Sequence, residues 1–184
     1  MQLTIVRHTR VDVPKGICYG NTDVPLAATY EEDMRQVTDK LQGKTFDAVY
    51  SSPLTRCRLL AEKICPDADI QTDGRLMELN FGKWEMTAWE TVYATEEGKS
   101  WFADFLRAPC PNGGSYTEME QNVISFLAEL KGKKYQNVLI VTHAGVIRTF
   151  DSILNNKTPE ESFSSLLEYG VLLTFYFDRI NYTN

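Results

Sequence analysis

The chain of 184 residues predicts an α/β fold, a three-layer α/β/α sandwich around a mostly parallel central sheet. Three observations point there. Short apolar, β-branched runs recur from one end to the other. Helical patterns with a period near 3.6 separate them. No apolar stretch is long enough for a membrane span. Strands that alternate with helices form parallel sheets covered on both faces.

In chain order, the first strand is LTIV, whose Leu3, Ile5 and Val6 are bulky or β-branched. A polar-rich helix is predicted over Thr29 to Leu41, then a strand in FDAVYSS from Phe46. The next helix, Pro53 to Ile64, carries Leu54, Cys57, Leu60, Ala61 and Ile64 on one face. A short strand follows in ADIQTD from Ala68. Ser115-Tyr-Thr-Glu118 is a capping box opening a helix whose buried stripe is Val123, Phe126, Leu127 and Leu130. NVLIVT from Asn137, a helix over Gly145 to Leu154 and a last strand in VLLTFYF from Val171 complete the pattern. A single domain over 1–184 is predicted, with no repeat or linker. The segment 81–114 breaks the alternation. It holds Trp84, Trp89 and Trp101 among Phe81, Tyr93, Phe102 and Phe105, and ends in prolines and Gly113-Gly114. It reads as core aromatics or as an insertion covering a substrate.

Composition narrows the function. With 19 basic and 25 acidic residues the net charge is −6, which argues against a nucleic-acid partner. An anionic ligand must then be held by a local cluster of cations against the global field. Cys18, Cys57, Cys65 and Cys110 show neither zinc spacing nor a C-x-x-C pair and read as reduced, apolar thiols. The first residues enter a strand directly and lack signal-peptide features, so a cytoplasmic protein with no membrane partner is expected.

Candidate chemistry gathers at strand ends. The sequence has two histidines, and both follow strands: His8 in VRHTR and His143 in VTHAGVIR. In open α/β sheets, ligands bind outside the carboxyl ends of strands. A third strand end supplies SSPLTRCR, where Ser52 reads as an N-cap and Pro53 as the first helical residue. Arg56 and Arg58 then fall at a helix start, where the dipole favours negative charge. A bound anion would resolve that conflict. Glu78 stands in RLMELNFGKWE between apolar neighbours. A carboxyl beside a bound dianion holds its proton more readily, as a general acid must. A P-loop, a G-x-G-x-x-G turn and a G-x-S-x-G elbow are all lacking. Arginines beside the histidines would repel a metal cation.

VRHTR, SSPLTRCR, ELNFGKWE and VTHAGVIR, in this order, resemble the histidine phosphatase superfamily, with its phosphoglycerate-mutase-like fold. ICYGNTDVPL and ELNFGKWE resemble the α-ribazole phosphatase branch of late cobalamin assembly. The resemblance implies a phosphomonoesterase acting on a small anionic phosphate ester without metal or organic cofactor. His8 would be the nucleophile that becomes phosphohistidine. Arg7 and Arg56 would hold phosphate oxygens, and His143 would bind and stabilise the transferring group. Glu78 would protonate the leaving alcohol and then activate water, with Glu85 the nearest alternative in the motif. Arginines close to His8 would keep it neutral near pH 7.

Three departures bear on phosphate-loop detail and substrate choice. Thr9 stands where the family usually has Gly, offering a hydroxyl in place of a close backbone approach. The Asn that often follows has no counterpart near Pro14, which leaves Asn21 or Thr22 as substitutes. Gly114 occupies the place of a frequent acid in the GGES pattern. The alternatives are a mutase-like enzyme, a phosphatase of sugar phosphates or phosphoglycerates, and a phosphate-binding domain without catalysis.

Overall fold

The computed structural model describes residues 1–177. Its sheet has five strands: β1 (Gln2–Arg7), β2 (Ala48–Ser51), β3 (Ile70–Thr72), β4 (Asn137–Thr142) and β5 (Leu172–Tyr176). Their order is β3-β2-β4-β1-β5, parallel except for β5, which runs antiparallel along β1 at one edge. The central strands are buried on both faces, as their unbroken apolar runs require.

Alternate residues of these strands enter two separate cores. Leu3, Ile5, Val138 and Ile140 pack against α5 (Tyr116–Lys131) and α6 (Ala144–Asn155). Val6, Leu139 and Val141 pack against α1 (Tyr30–Leu41) and α2 (Thr55–Ile64). The three-layer sandwich follows from this alternation. The Ser115–Glu118 capping box forms, and the predicted stripe of α5 is fully buried. Burying each such side chain contributes roughly 1.5–3 kcal/mol.

Several elements differ from the sequence expectation. Helix α2 begins at Thr55, two residues after Pro53, and Ser52 does not cap it. Strand β3 is only three residues long. The segment 81–114 folds into short helices, α3 (Trp89–Ala94) and α4 (Glu96–Ala103), around a third cluster of Cys18, Trp84, Val92 and Cys110. An additional helix, α7 (Pro159–Phe163), opens with a Thr158–Glu161 capping box and Pro159 in its first turn. All four cysteines are free thiols. Among the described residues, no helix is long and apolar enough to cross a membrane.

Candidate active site

Strands β2, β4 and β1 are neighbours, so the three strand-end motifs meet at one edge of the sheet. Register sets their level. Arg7 pairs with Thr142 and Ser51 with Val141. One residue further on, the His8 amide donates to the Thr142 carbonyl at 3.0 Å and the Ser52 amide to that of Val141 at 3.0 Å. The ladder therefore continues into the site, and His8, Ser52 and His143 leave the sheet side by side.

His8 is 2% exposed and His143 0%, with ring centroids 5.2 Å apart in an edge-to-face arrangement. Burial lowers the pKa of His8 well below its ordinary value, and the positive charges of Arg56 and Arg7 lower it further. His143 is lowered first by burial and then by His8, Arg56 and Arg7. Both are neutral imidazoles at pH 7. The Nδ1 of His8 lies 2.8 Å from the Thr9 carbonyl, which can only accept, so Nδ1 carries the proton. The lone pair of His8 is then on Nε2. The Nε2 of His143 lies 2.8 Å from Ser52 Oγ and 3.5 Å from Cys57 Sγ.

The two arginines at the start of α2 part company. Arg58 makes a surface i, i+4 pair with Glu62 at 2.6 Å. Arg56 turns inward and is 0% exposed. Its guanidinium donates to the carbonyls of Thr22, at 2.8 Å, and Gly20. Arg7 donates to the Leu167 carbonyl and lies over the Tyr169 ring, 3.9 Å from its centroid. Among the described residues neither guanidinium has a carboxylate partner, and the buried Nε of each has no acceptor. A buried cation in that condition is costly unless an anion completes it.

Arg7, His8 and Arg56 share a cavity of about 240 Å³ with Glu78, Ile17, Tyr19, Trp89 and Tyr169. Glu78 reaches it by tertiary packing. The Thr142 hydroxyl donates to the Leu76 carbonyl at 2.7 Å, drawing the chain after β3 beneath the start of α6. There Gly145 N donates to Glu78 Oε2 at 3.0 Å and Leu79 N to Oε1 at 3.1 Å. A Cβ on Gly145 would stand 2.2 Å from Glu78 Oε1, so a side chain there would displace the carboxylate.

Other expected residues take supporting places. His143 does not line the cavity and packs behind His8. Thr9 is buried, its hydroxyl without a partner among the described residues. Asn21 and Thr22 do not line the cavity either. The Asn21 amide donates to the Glu78 carbonyl at 2.6 Å, and the Thr22 hydroxyl to Glu85 at 2.7 Å. Ser52, read as a cap, is instead the partner of His143. Sequence reasoning missed Tyr19 and Tyr169, whose hydroxyls lie 2.7 Å apart across the cavity. The Tyr in ICYGNTD was the one available signal for the pair.

Residues 3–179 match the family model of the histidine phosphatase superfamily (branch 1). A Hydrogenobacter thermophilus protein provisionally named phosphoserine phosphatase 2 is 32% identical over 158 residues, 83% of this chain and 78% of its own length. The adenosylcobalamin/α-ribazole phosphatase of Escherichia coli K12 is 31% identical over 154 residues, 80% of this chain and 75% of that protein. The crystal structure of α-ribazole phosphatase from Shigella flexneri matches with a TM-score of 0.88 at 27% identity, covering 97% of this chain and 91% of that one.

Proposed function

The chain belongs to the histidine phosphatase superfamily, and from that membership we propose that it hydrolyses a small phosphate monoester through a phosphohistidine, with α-ribazole 5′-phosphate as substrate. The observation that carries the chemistry is a pair of carboxylate-free arginines, Arg56 buried and Arg7 half-buried, beside a neutral histidine whose Nε2 is unprotonated. The phosphoryl oxygens take the guanidinium donors of Arg7 and Arg56. His8 Nε2 attacks phosphorus as the ester P–O bond breaks, and Glu78 gives its proton to the departing alkoxide. Glu78, now a carboxylate, takes a proton from water, which attacks the phosphohistidine, releases phosphate and restores His8. His143, held by Ser52 and outside the cavity lining, supports the neutral His8 ring by edge-to-face packing. Cationic stabilisation in a dry site contributes most of the acceleration, and general acid help adds about 10²–10⁴.

The walls support the substrate. Arg7 and Arg56 are the cations among the residues lining the cavity, and the phosphoryl group uses both. No further cation there meets the carboxylate of phosphoserine or a phosphoglycerate. Ile17, Tyr19, Trp89 and Tyr169 instead offer apolar and aromatic surface, which suits the flat, uncharged base of a ribosyl-benzimidazole. The segment 81–114, which supplies Trp89, serves in this reading as the cover over the alcohol half. Relatives provisionally named phosphoglycerate mutase also exist. A mutase must retain its product for re-phosphorylation, so release of free phosphate separates the two activities. Side-by-side turnover of α-ribazole 5′-phosphate, phosphoserine, 3-phosphoglycerate and sugar phosphates tests the assignment. A kcat/KM for α-ribazole 5′-phosphate at least tenfold above the others is expected, and preference for a carboxylated ester contradicts it.

A further inference from the structure

Glu85 follows the helical turn at Gly82–Trp84, and its half-buried carboxylate faces the loop carrying Gly20, Asn21 and Thr22. It accepts the backbone N–H of Gly20 at 3.0 Å, of Asn21 at 3.0 Å and of Thr22 at 3.2 Å. The Thr22 hydroxyl at 2.7 Å and the Phe81 amide at 3.0 Å complete the set. Three successive amides gathered on one anion form a fixed concavity. The carbonyls of Gly20 and Thr22, in the same three residues, are the acceptors that hold Arg56. The side chain of the middle residue, Asn21, holds the carbonyl of Glu78. Gly20 itself packs so closely that a Cβ would stand 1.8 Å from the Leu79 carbonyl.

The chemistry fits support rather than proton transfer. Burial alone would push the Glu85 carboxyl up, but hydrogen bonds from Gly20, Thr22, Phe81 and Asn21 outweigh it and hold the pKa below the usual range. Glu85 therefore stays charged at neutral pH. It does not line the His8 cavity, which removes it as the alternative acid. Among the described residues it forms no ion pair with Arg56, so no carboxylate offsets the guanidinium charge that faces the phosphoryl group.

We infer that Glu85 is a positioning residue, whose carboxylate fixes the 20–22 loop so that its carbonyls hold Arg56 and its Asn21 side chain holds the Glu78 segment. The inference rests on the phosphatase reading above. Its test compares Glu85→Gln, Glu85→Asp, Arg56→Ala and the Glu85→Gln/Arg56→Ala double variant. Turnover of nitrophenyl phosphate, inhibition by vanadate and thermal unfolding with and without inorganic phosphate are measured for each. Glu85→Gln puts an N–H donor where amides donate. It is expected to lower kcat/KM about tenfold or more, and to weaken vanadate inhibition by a similar factor. In the double variant the loss is expected to be smaller than the product of the two single losses, because residues acting through one another are not additive. Glu85→Asp is expected to recover part of the loss. If Glu85→Gln does not fold, Thr22→Val, which deletes one contact to the carboxylate, is carried through the same cycle with Arg56→Ala. A Glu85→Gln enzyme within twofold of wild type, or losses that multiply in the double variant, overturns the inference. Failure of the wild-type protein itself to hydrolyse the ester or to be stabilised by phosphate overturns the phosphatase reading, and this inference with it.

Discussion

The floor of the cavity and its wall are built in different ways. On the floor, His8 at the end of β1 is 2% exposed and Arg56, in the first turn of α2, is 0% exposed, with the fully buried His143 packed against His8. The His8 backbone is tied to the sheet by the hydrogen bond from its amide to the Thr142 carbonyl, and Arg56 is held by the carbonyls of Gly20 and Thr22. The wall is Ile17, Tyr19, Trp89 and Tyr169; Trp89 comes from the 81–114 segment, which packs on its own cluster and leaves Tyr93 59% and Phe102 42% exposed. Its aromatics, Phe81, Trp89, Trp101 and Phe102, contact one another edge-to-face or stacked, and Phe105 links them to Tyr116 of the main core. In the proposed reading the reaction sits on buried residues held by the sheet and the start of α2, and selection of the alcohol falls to the wall side chains carried by the surrounding loops. Floor substitutions should slow every ester, and wall substitutions should discriminate between esters.

Glu78→Gln offers the sharpest break in that division, since Glu78 lines the same cavity yet acts on the leaving group. A loss of about 10²–10⁴ in the phosphorylation step is expected for alkyl or ribosyl esters. With nitrophenyl phosphate the departing oxygen needs little protonation, so a burst followed by slow turnover should appear in rapid mixing. Equal loss of single-turnover rate for both ester types would move the acid elsewhere.

Arg56→Ala should reduce kcat/KM by about 10²–10³, the loss typical of one transition-state donor, and by a similar factor for all esters. Its melting temperature is expected to move little. Two hydrogen bonds to carbonyls are lost, but a buried cation without a carboxylate partner goes with them. Unfolding with normal kinetics in the folded fraction would make this a structural arginine.

Trp89→Ala, on the wall, should raise KM for α-ribazole 5′-phosphate by about tenfold, close to the 0.5–1.5 kcal/mol of an aromatic pair. Steady-state kinetics with a small alkyl phosphate should change less than twofold. Parallel losses for both substrates would show that the wall shapes the floor.

The smallest effect is on stability. Both histidines have folded-state pKa values below that of the unfolded chain. The unfolded state therefore binds more protons below about pH 6.5, and stability falls as pH drops through that value. The limit is about 1.4 kcal/mol per pH unit for each histidine. Denaturant titrations between pH 5 and 6.5 should show this slope, and His8→Asn should reduce it. An unchanged slope in His8→Asn would mean that His8 is protonated in the folded protein.

Much of the fold was legible because the central strands are apolar throughout and the α5 stripe has a strict helical period. His8, His143 and Arg56 were legible because charged or titratable residues rarely end buried runs without a reason. Ser52 was misread because a local capping rule competed with a partner 91 residues away, His143. Glu78 could be singled out between apolar neighbours but was given its role by resemblance, since a contact between Thr142 and Leu76 brings it to the site. Tyr169 precedes an edge strand in no motif at all, and only the folded chain sets it over Arg7.

The central claim is that His8 is phosphorylated during turnover. Rapid acid-free quenching of the enzyme with a radiolabelled phosphate ester should trap a phosphoenzyme that survives base and is destroyed by acid. The label should be absent in His8→Ala, and turnover of the wild-type enzyme should be indifferent to chelators. A chelator-sensitive reaction that proceeds with no labelled protein would contradict the account and place the chemistry on a metal-activated water instead.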